Sequence, residues 1–175
     1  ILGKKKAVGA EYLVVDIPIG RGAKIEDENE GKSLANDFIQ VGDKLAIKTR
    51  CLISDGNDPI GFGVGPGLEC KDVFEVLSGT GPYELLDKGT LMAGSILEMV
   101  GRAPVGKGTD IALNVIKTGK AMDKLREIID AQGGDGKVKI DDLPIGSFRY
   151  EVKTEKSGRI SHVDNKLISK IARAA

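Results

Sequence analysis

Tyr12-Leu13-Val14-Val15-Asp16-Ile17-Pro18-Ile19 is a short continuous apolar run closed by Gly20-Arg21-Gly22. A run of this length, stopped by glycines, suits a strand buried on both faces of a parallel sheet. Downstream lie the acidic patch Glu26-Asp27-Glu28-Asn29-Glu30 and then Leu34, Phe38, Val41 and Leu45 at spacings of four, three and four. That pattern predicts an amphipathic helix whose N-terminal approach carries charge of the favourable sign. A second strand, Thr49-Arg50-Cys51-Leu52-Ile53-Ser54, runs into the turn residues Asp55-Gly56-Asn57-Asp58-Pro59. Strand, helix and strand with short joins is the βαβ unit, so the fold class expected is α/β.

From Leu68 to about Ala131 the pattern is mostly helical, divided by Gly79 to Pro82, Gly101 to Gly108 and Gly119. Ala121, Leu125, Ile128 and Ile129 mark one apolar stripe, and Gln132-Gly133-Gly134-Asp135-Gly136 ends it. After Pro144, Phe148-Arg149-Tyr150-Glu151-Val152-Lys153-Thr154 alternates like a half-exposed strand, and Ser157-Gly158 turns the chain toward Arg159-Ile160-Ser161-His162-Val163. This reads as a hairpin opening a second, α+β domain, with residues 1–140 as the α/β part and 141–175 as the start of the next. The sheet of the first part is expected to be parallel or mixed and flanked by helices.

The ends, Ile1-Leu2-Gly3-Lys4-Lys5-Lys6 without an initiator Met and Ile168-Ser169-Lys170-Ile171-Ala172-Arg173-Ala174-Ala175 without a Gly or Pro stop, read as helix cut in mid-course. The expectation is an excised piece of a longer protein.

Composition removes several classes of function. The 175 residues carry 26 Lys+Arg against 26 Asp+Glu and 4% aromatics, which lacks the basic excess and stacking residues of a nucleic-acid interface. Cys51 and Cys70 form no C-x-x-C, and a single His gives no common zinc site, so no metal is expected and a reducing, cytoplasmic setting fits. No apolar run approaches the roughly 20 residues of a membrane helix.

Several stretches carry chemistry. Gly61-Phe62-Gly63-Val64-Gly65-Pro66-Gly67 precedes a helix and would aim amides at an anion, or would simply let backbone pass close to a neighbour; it has neither the G-x-G-x-x-G spacing nor a Walker Gly-Lys. Gly20-Arg21-Gly22-Ala23-Lys24 and Asp55-Gly56-Asn57-Asp58-Pro59 follow the carboxyl ends of the expected strands, where open α/β sheets place ligands, although both are also ordinary turn sequences. Asp55 and Asp58 would act as acid and base only if buried together. In the first helix, Ile1 and Val8 form an apolar stripe that Lys4 and Lys5 flank, with Lys6 turned away. His162 is expected at the surface and the two cysteines are expected to be inert.

Read together, Ile1-Leu2-Gly3-Lys4-Lys5-Lys6-Ala7-Val8-Gly9-Ala10, Asp16-Ile17-Pro18-Ile19-Gly20-Arg21-Gly22-Ala23-Lys24-Ile25, Ser54-Asp55-Gly56-Asn57-Asp58-Pro59-Ile60-Gly61 and Gly65-Pro66-Gly67-Leu68-Glu69 resemble the thymidine and pyrimidine-nucleoside phosphorylase family. The wording is closest to its archaeal branch, the AMP phosphorylases. Gly81-Pro82, Ala131-Gln132-Gly133-Gly134 and Asp164-Asn165-Lys166 extend the likeness in order along the chain.

The resemblance implies the later part of the central α/β domain joined to the start of the C-terminal one. It implies a phosphorolytic transferase: phosphate attacks C1 of the ribose and the base departs, giving adenine and ribose 1,5-bisphosphate from AMP. For a thymidine phosphorylase the products are thymine and deoxyribose 1-phosphate. It implies small-molecule partners (a nucleotide or nucleoside, and phosphate as co-substrate), no further cofactor, no nucleic acid, no membrane and a homo-oligomeric parent. In the family a Ser-x-x-x-Lys pair contacts the base side of the substrate, and Lys4 matches that Lys, making it the substrate-binding residue expected here. The family's phosphate loop, Ser-rich segment and proton-donating Asp would lie before Ile1, so no catalytic residue is assigned and the isolated piece is expected to be inactive. Bacterial members bind potassium partly through the stretch matching Ile60, Gly63 and Asp72; Asp stands where they have Glu and the remaining ligands are absent, so no metal is assigned. Gly65-Pro66 also stands where bacterial members have Gly-Asn. Two readings of other classes stay beside this one: a non-catalytic assembly module, and nucleotide binding through Gly61 to Gly67.

Overall fold

The computed structural model describes residues 1–174; Ala175, the last residue of the expected final helix, lies outside the described residues. Contacts divide the chain into two compact units, residues 1–58 with 86–115, and residues 59–85 with 116–175.

The first unit holds the parallel βαβ unit. β1 (Tyr12–Ile19) pairs in parallel with β2 (Lys48–Asp55), with Tyr12 opposite Lys48 and Ile19 opposite Asp55. Helix α2 (Glu28–Lys44) joins them. Its N-cap is Asp27, whose carboxylate accepts the Glu30 N–H at 2.9 Å, with Glu28 and Glu30 in the first turn as the acidic patch predicts. α2 lies close to the sheet because Gly31 and Gly42 let it: a Cβ on Gly31 would fall 2.3 Å from Ile19, and one on Gly42 2.3 Å from Thr49. Ala46, at φ 54, turns the chain back into β2 in the left-handed region that residues with a Cβ seldom enter.

The period of two in each strand makes one face of Leu13, Val15, Ile17 and Ile19 with Thr49, Cys51 and Ile53, which α2 covers. Cys51 donates its S–H to the Ala35 carbonyl at 3.6 Å, and burial pushes its thiol pKa up. The other face carries Asp16, Arg50 and Ser54; the Ser54 hydroxyl donates to Asp16, and α4 (Tyr83–Met99) supplies partners for the two charges: Lys88 reaches Asp16 and Glu98 reaches Arg50. The strand expected to be buried on both faces is therefore mostly half-buried, with Ile17 alone in β1 fully inside. In a sheet of two strands each keeps an unpaired edge.

Helix α1 (Leu2–Ala7) packs toward α2 through Leu2, which is 8% exposed. The expected stripe of Ile1 and Val8 is not the buried one: they are 78% and 79% exposed. The helix ends at Ala7, and Gly9 at φ 74 redirects the chain before the seven-residue spacing can bring Val8 over Ile1. Helix α5 (Gly108–Lys117) begins in this unit, where its Gly108 rests against Gly94 of α4: a Cβ on Gly108 would lie 2.1 Å from the Gly94 carbonyl oxygen.

The second unit contains α3 (Pro66–Leu77), α6 (Lys120–Ala131), a 3-10 turn (Ile140–Asp142) and α7 (Asn165–Ala174). α3 and α6 touch, and Phe74, Val76 and Met122 are buried. Met122, not Ile128, anchors α6; Ile128 is 46% exposed. The helices from α3 to α6 are separated where the glycine clusters predict.

The expected hairpin does not form. Residues 148–154 and 159–163 carry no strand, and Phe148, Tyr150, Val152 and Ile160 are between 83% and 99% exposed. Two strands alone are marginal in water, and among the described residues no third strand or helix face takes up this apolar side.

Candidate functional site

The two loops at the carboxyl ends of the strands are tied to each other. Gly56 donates its N–H to the Ile19 carbonyl at 2.9 Å, carrying the sheet's spacing one residue past the strand. Asn57 then bridges: its Oδ1 accepts the Arg21 N–H at 2.9 Å, and its Nδ2 donates to Asp55 Oδ1 at 2.7 Å. Asp55 Oδ1 also accepts the Asn57 N–H at 3.0 Å. Gly20 is buried directly beneath, and a Cβ there would sit 2.5 Å from the Asn57 nitrogen. Within the first loop and just beyond it, Gly22 donates its N–H to Glu26 at 3.1 Å.

The loop so held carries Arg21 and Lys24, both exposed and neither in an ion pair among those the structure shows. Two cations beyond the carboxyl ends of parallel strands are suited to an anionic ligand. Asp55 and Asp58 are exposed and make no buried acid–base pair; Asp55 instead organises the turn.

Lys4 is exposed on α1. At about 100° per residue it stands nearly opposite the buried Leu2, on the side of the helix turned away from the core. Lys4, Lys5 and Lys6 also fill the last turn of α1, where cations oppose the negative end of the helix dipole.

In the second unit the glycine-rich loop answers its own question. Phe62 and Gly63 both donate N–H to Asp72 Oδ2 at 2.8 Å, and Gly65 donates to Glu69 Oε1 at 3.0 Å. The anions that these amides receive belong to α3 itself. Asp72 is 4% exposed, and Gly61 (φ 80) leaves only 2.6 Å between its would-be Cβ and Asp72 Oδ2. This is the close backbone approach that the sequence offered as the second reading of the loop. An Asp72 oxygen facing two amide protons is poorly placed to hold a cation, so the match to the bacterial potassium site gains no support here. Among the described residues no three His, Cys, Asp or Glu side chains gather as a metal site, and no helix is long and apolar enough to cross a membrane. A cavity of about 290 Å³ between Lys71, Leu143 and Arg149 is lined by both signs of charge, Asp141 included, and contains none of the residues singled out above.

The bridging role of Asn57 and the ion pairs on α4 were not singled out from sequence. The first had a signal, Asx chemistry directly after a strand; the second had none.

A parallel βαβ unit with linked strand-end loops and exposed cations agrees with the class to which the motifs pointed, the nucleoside phosphorylases. The particular relatives are AMP phosphorylases. Over 176 aligned residues, covering 100% of this chain, it is 46% identical to that of Pyrococcus abyssi, 44% to that of Pyrococcus horikoshii and 43% to that of Methanosarcina mazei. The family resemblance read from the motifs is thus borne out along the whole chain. The chain spans about a third of these relatives, 35% of their length. No family model matches it.

Proposed function

We propose that this chain is part of a nucleoside-monophosphate phosphorylase, a pentosyltransferase that converts AMP and phosphate to adenine and ribose 1,5-bisphosphate. The observation that carries the reading is identity of 46% to an AMP phosphorylase with no part of the chain left out. The reaction breaks the C1–N bond of the ribose as a phosphate oxygen forms a bond to C1, and the base leaves with the electron pair. Two demands follow: cations for the anionic substrates, and a donor or cation near the departing base. Arg21 and Lys24 suit the first. Lys4, by its match to the family's Ser-x-x-x-Lys, is assigned to the second.

The proposal includes phosphate as co-substrate with no other cofactor, a homo-oligomeric parent, a cytoplasmic setting and no nucleic-acid partner. Balanced charge supports the last, and two cysteines that remain free suit the reducing setting. It places residues 1–140 in the central domain and 141–175 at the start of the C-terminal one. The remaining machinery belongs to the two-thirds of the relatives' length that this chain does not cover, so the chain by itself is expected to turn nothing over.

The test is an assay of the full-length protein with phosphate and either AMP or thymidine. Adenine release from AMP supports the proposal. Release from thymidine alone moves the activity to thymidine phosphorolysis, and release from neither removes the enzymatic reading in favour of an assembly module.

A further inference from the structure

We infer that Asn57 is a positioning residue for the substrate-facing loop Gly20 to Lys24, acting through the backbone of Arg21. The inference rests on the reading of that loop as an anion-binding element. Its own support is the geometry around one side chain amide.

The Gly20 N–H is spent on the Ile25 carbonyl at 3.1 Å and the Ala23 N–H on Gly20, so these bonds close the loop on itself without fixing where it points. The Glu26 carboxylate holds Gly22, but Glu26 follows the same loop in the chain, so this bond too is local to it. Asn57 is the bond in this set that joins the loop to β2. It takes the Arg21 N–H at 2.9 Å while its own amide nitrogen is held by Asp55 at 2.7 Å, so the acceptor is oriented before Arg21 meets it.

Only a short side chain with a donor and an acceptor at one planar end does both at once. Asp in its place would keep an acceptor for Arg21, lose the donor to Asp55 and set a second negative charge beside it. Gln would carry the amide one methylene too far. The fit extends below: the Asn57 backbone and Cγ would lie 2.5 Å and 2.8 Å from any Cβ on Gly20, so the two residues close on one another and the loop has no room to sink toward the sheet. Arg21 and Lys24 therefore leave from a backbone whose height above the strand ends is set from β2. Displacing a binding group by about 1 Å weakens capture far more than so small a movement suggests, which makes such a strut consequential for the substrate.

The experiment uses the full-length protein with AMP and phosphate, and compares Asn57→Ala, Asn57→Asp and the double variant Arg21→Ala/Lys24→Ala. For Asn57→Ala, kcat/KM is expected to fall roughly tenfold or more, carried mainly by KM, with Asn57→Asp recovering part of it. Trypsin cleavage after Arg21 and Lys24, followed without substrate, is expected to accelerate in Asn57→Ala while the thermal midpoint stays near that of the parent. A wild-type kcat/KM in Asn57→Ala, with the double variant impaired, would overturn the inference and leave the loop reading standing. A wild-type kcat/KM in the double variant would remove the loop reading and the inference with it. If Asn57→Ala does not fold, Asn57→Asp is read by proteolysis without substrate, which charge repulsion of AMP and phosphate does not affect: faster cleavage after Arg21 and Lys24 supports the strut, and cleavage at the parent rate refutes it.

Discussion

The carboxylate of Asp16 on β1 stands 2.6 Å from the ammonium of Lys88 on α4, and its other oxygen accepts the Ser54 hydroxyl at 2.7 Å. Both charged side chains are about four-fifths covered, so water reaches each only in part. Removing one partner leaves the other stranded, whereas replacing both with apolar groups removes the problem. Lys88→Met is expected to cost about 2 kcal/mol, and the pair Asp16→Leu/Lys88→Met to recover most of that. Urea unfolding of the two variants beside the parent measures it, and equal losses in single and double variants would contradict it.

Much of the scaffold could be read in advance because local and long-range preferences agree there. β1 runs from Tyr12 to Ile19 as its apolar run and closing glycine require, and Asp27 caps α2 where the acidic patch begins. What could not be read depends on partners distant in sequence. Nothing near Asp16 announces Lys88, and nothing near Phe62 announces that Asp72 will take its amide. The alternation from Phe148 to Thr154 met the pattern of a strand but lacks a surface to lie on, so period alone misled. At the candidate site the strand-end loops were legible by position, while the bond that joins them was not.

Backbone contact between Gly94 and Gly108 fixes how α4 and α5 meet. A Cβ on Gly94 would lie 2.4 Å from the Thr109 nitrogen, and backbone cannot swing aside as a side-chain tip can. Gly94→Ala and Gly108→Ala are each expected to destabilise by about 3 kcal/mol, despite the better helix propensity of Ala. Gly89→Ala, with nothing within 4 Å on the same helix, is expected to be neutral or mildly stabilising. Thermal unfolding of the three variants separates the crowded positions from the open one.

Acid should weaken the fold through two carboxylates. The Gly108 N–H, with Arg50 and the Gly106 N–H, outweighs burial and holds Glu98 below its ordinary pKa. The Leu167 N–H does the same for Asp164, with the Lys166 N–H and the charges of His162 and Lys166. A pKa lowered by folding means the unfolded chain binds the proton more readily. The stabilisation is therefore complete above the ordinary carboxylate range and drains away as pH falls through the lowered folded values. The thermal midpoint should be level from about pH 7 to 5 and fall below about pH 4, with a shallower acid slope in Glu98→Gln.

Lys4 tests the proposed chemistry most directly. It faces away from Leu2, so its removal should leave folding nearly unchanged. In the full-length protein, Lys4→Ala is expected to lower kcat/KM for AMP by about tenfold to a hundredfold, with Lys6→Ala close to parent activity. Equal effects of the two variants would assign the lysines to the helix end and take Lys4 out of the site.

Asp72 is the built-in anion of the glycine loop, and its removal should set the loop amides free. Asp72→Ala leaves the Phe62 and Gly63 N–H groups without their acceptor, in a place where the carboxylate is 4% exposed and water must enter to replace it. The expected cost is about 3 kcal/mol, since two bonds to a charged acceptor disappear together. Hydrogen exchange locates the effect: the amides of Phe62 and Gly63 should lose protection while those at the centre of β1 keep theirs. Asp72→Asn should fall between, because its carbonyl oxygen can still accept from the loop but without the charge. Unchanged protection in Asp72→Ala would mean that the loop holds its shape without Asp72, and would reopen the Phe62 and Gly63 amides to an outside anion.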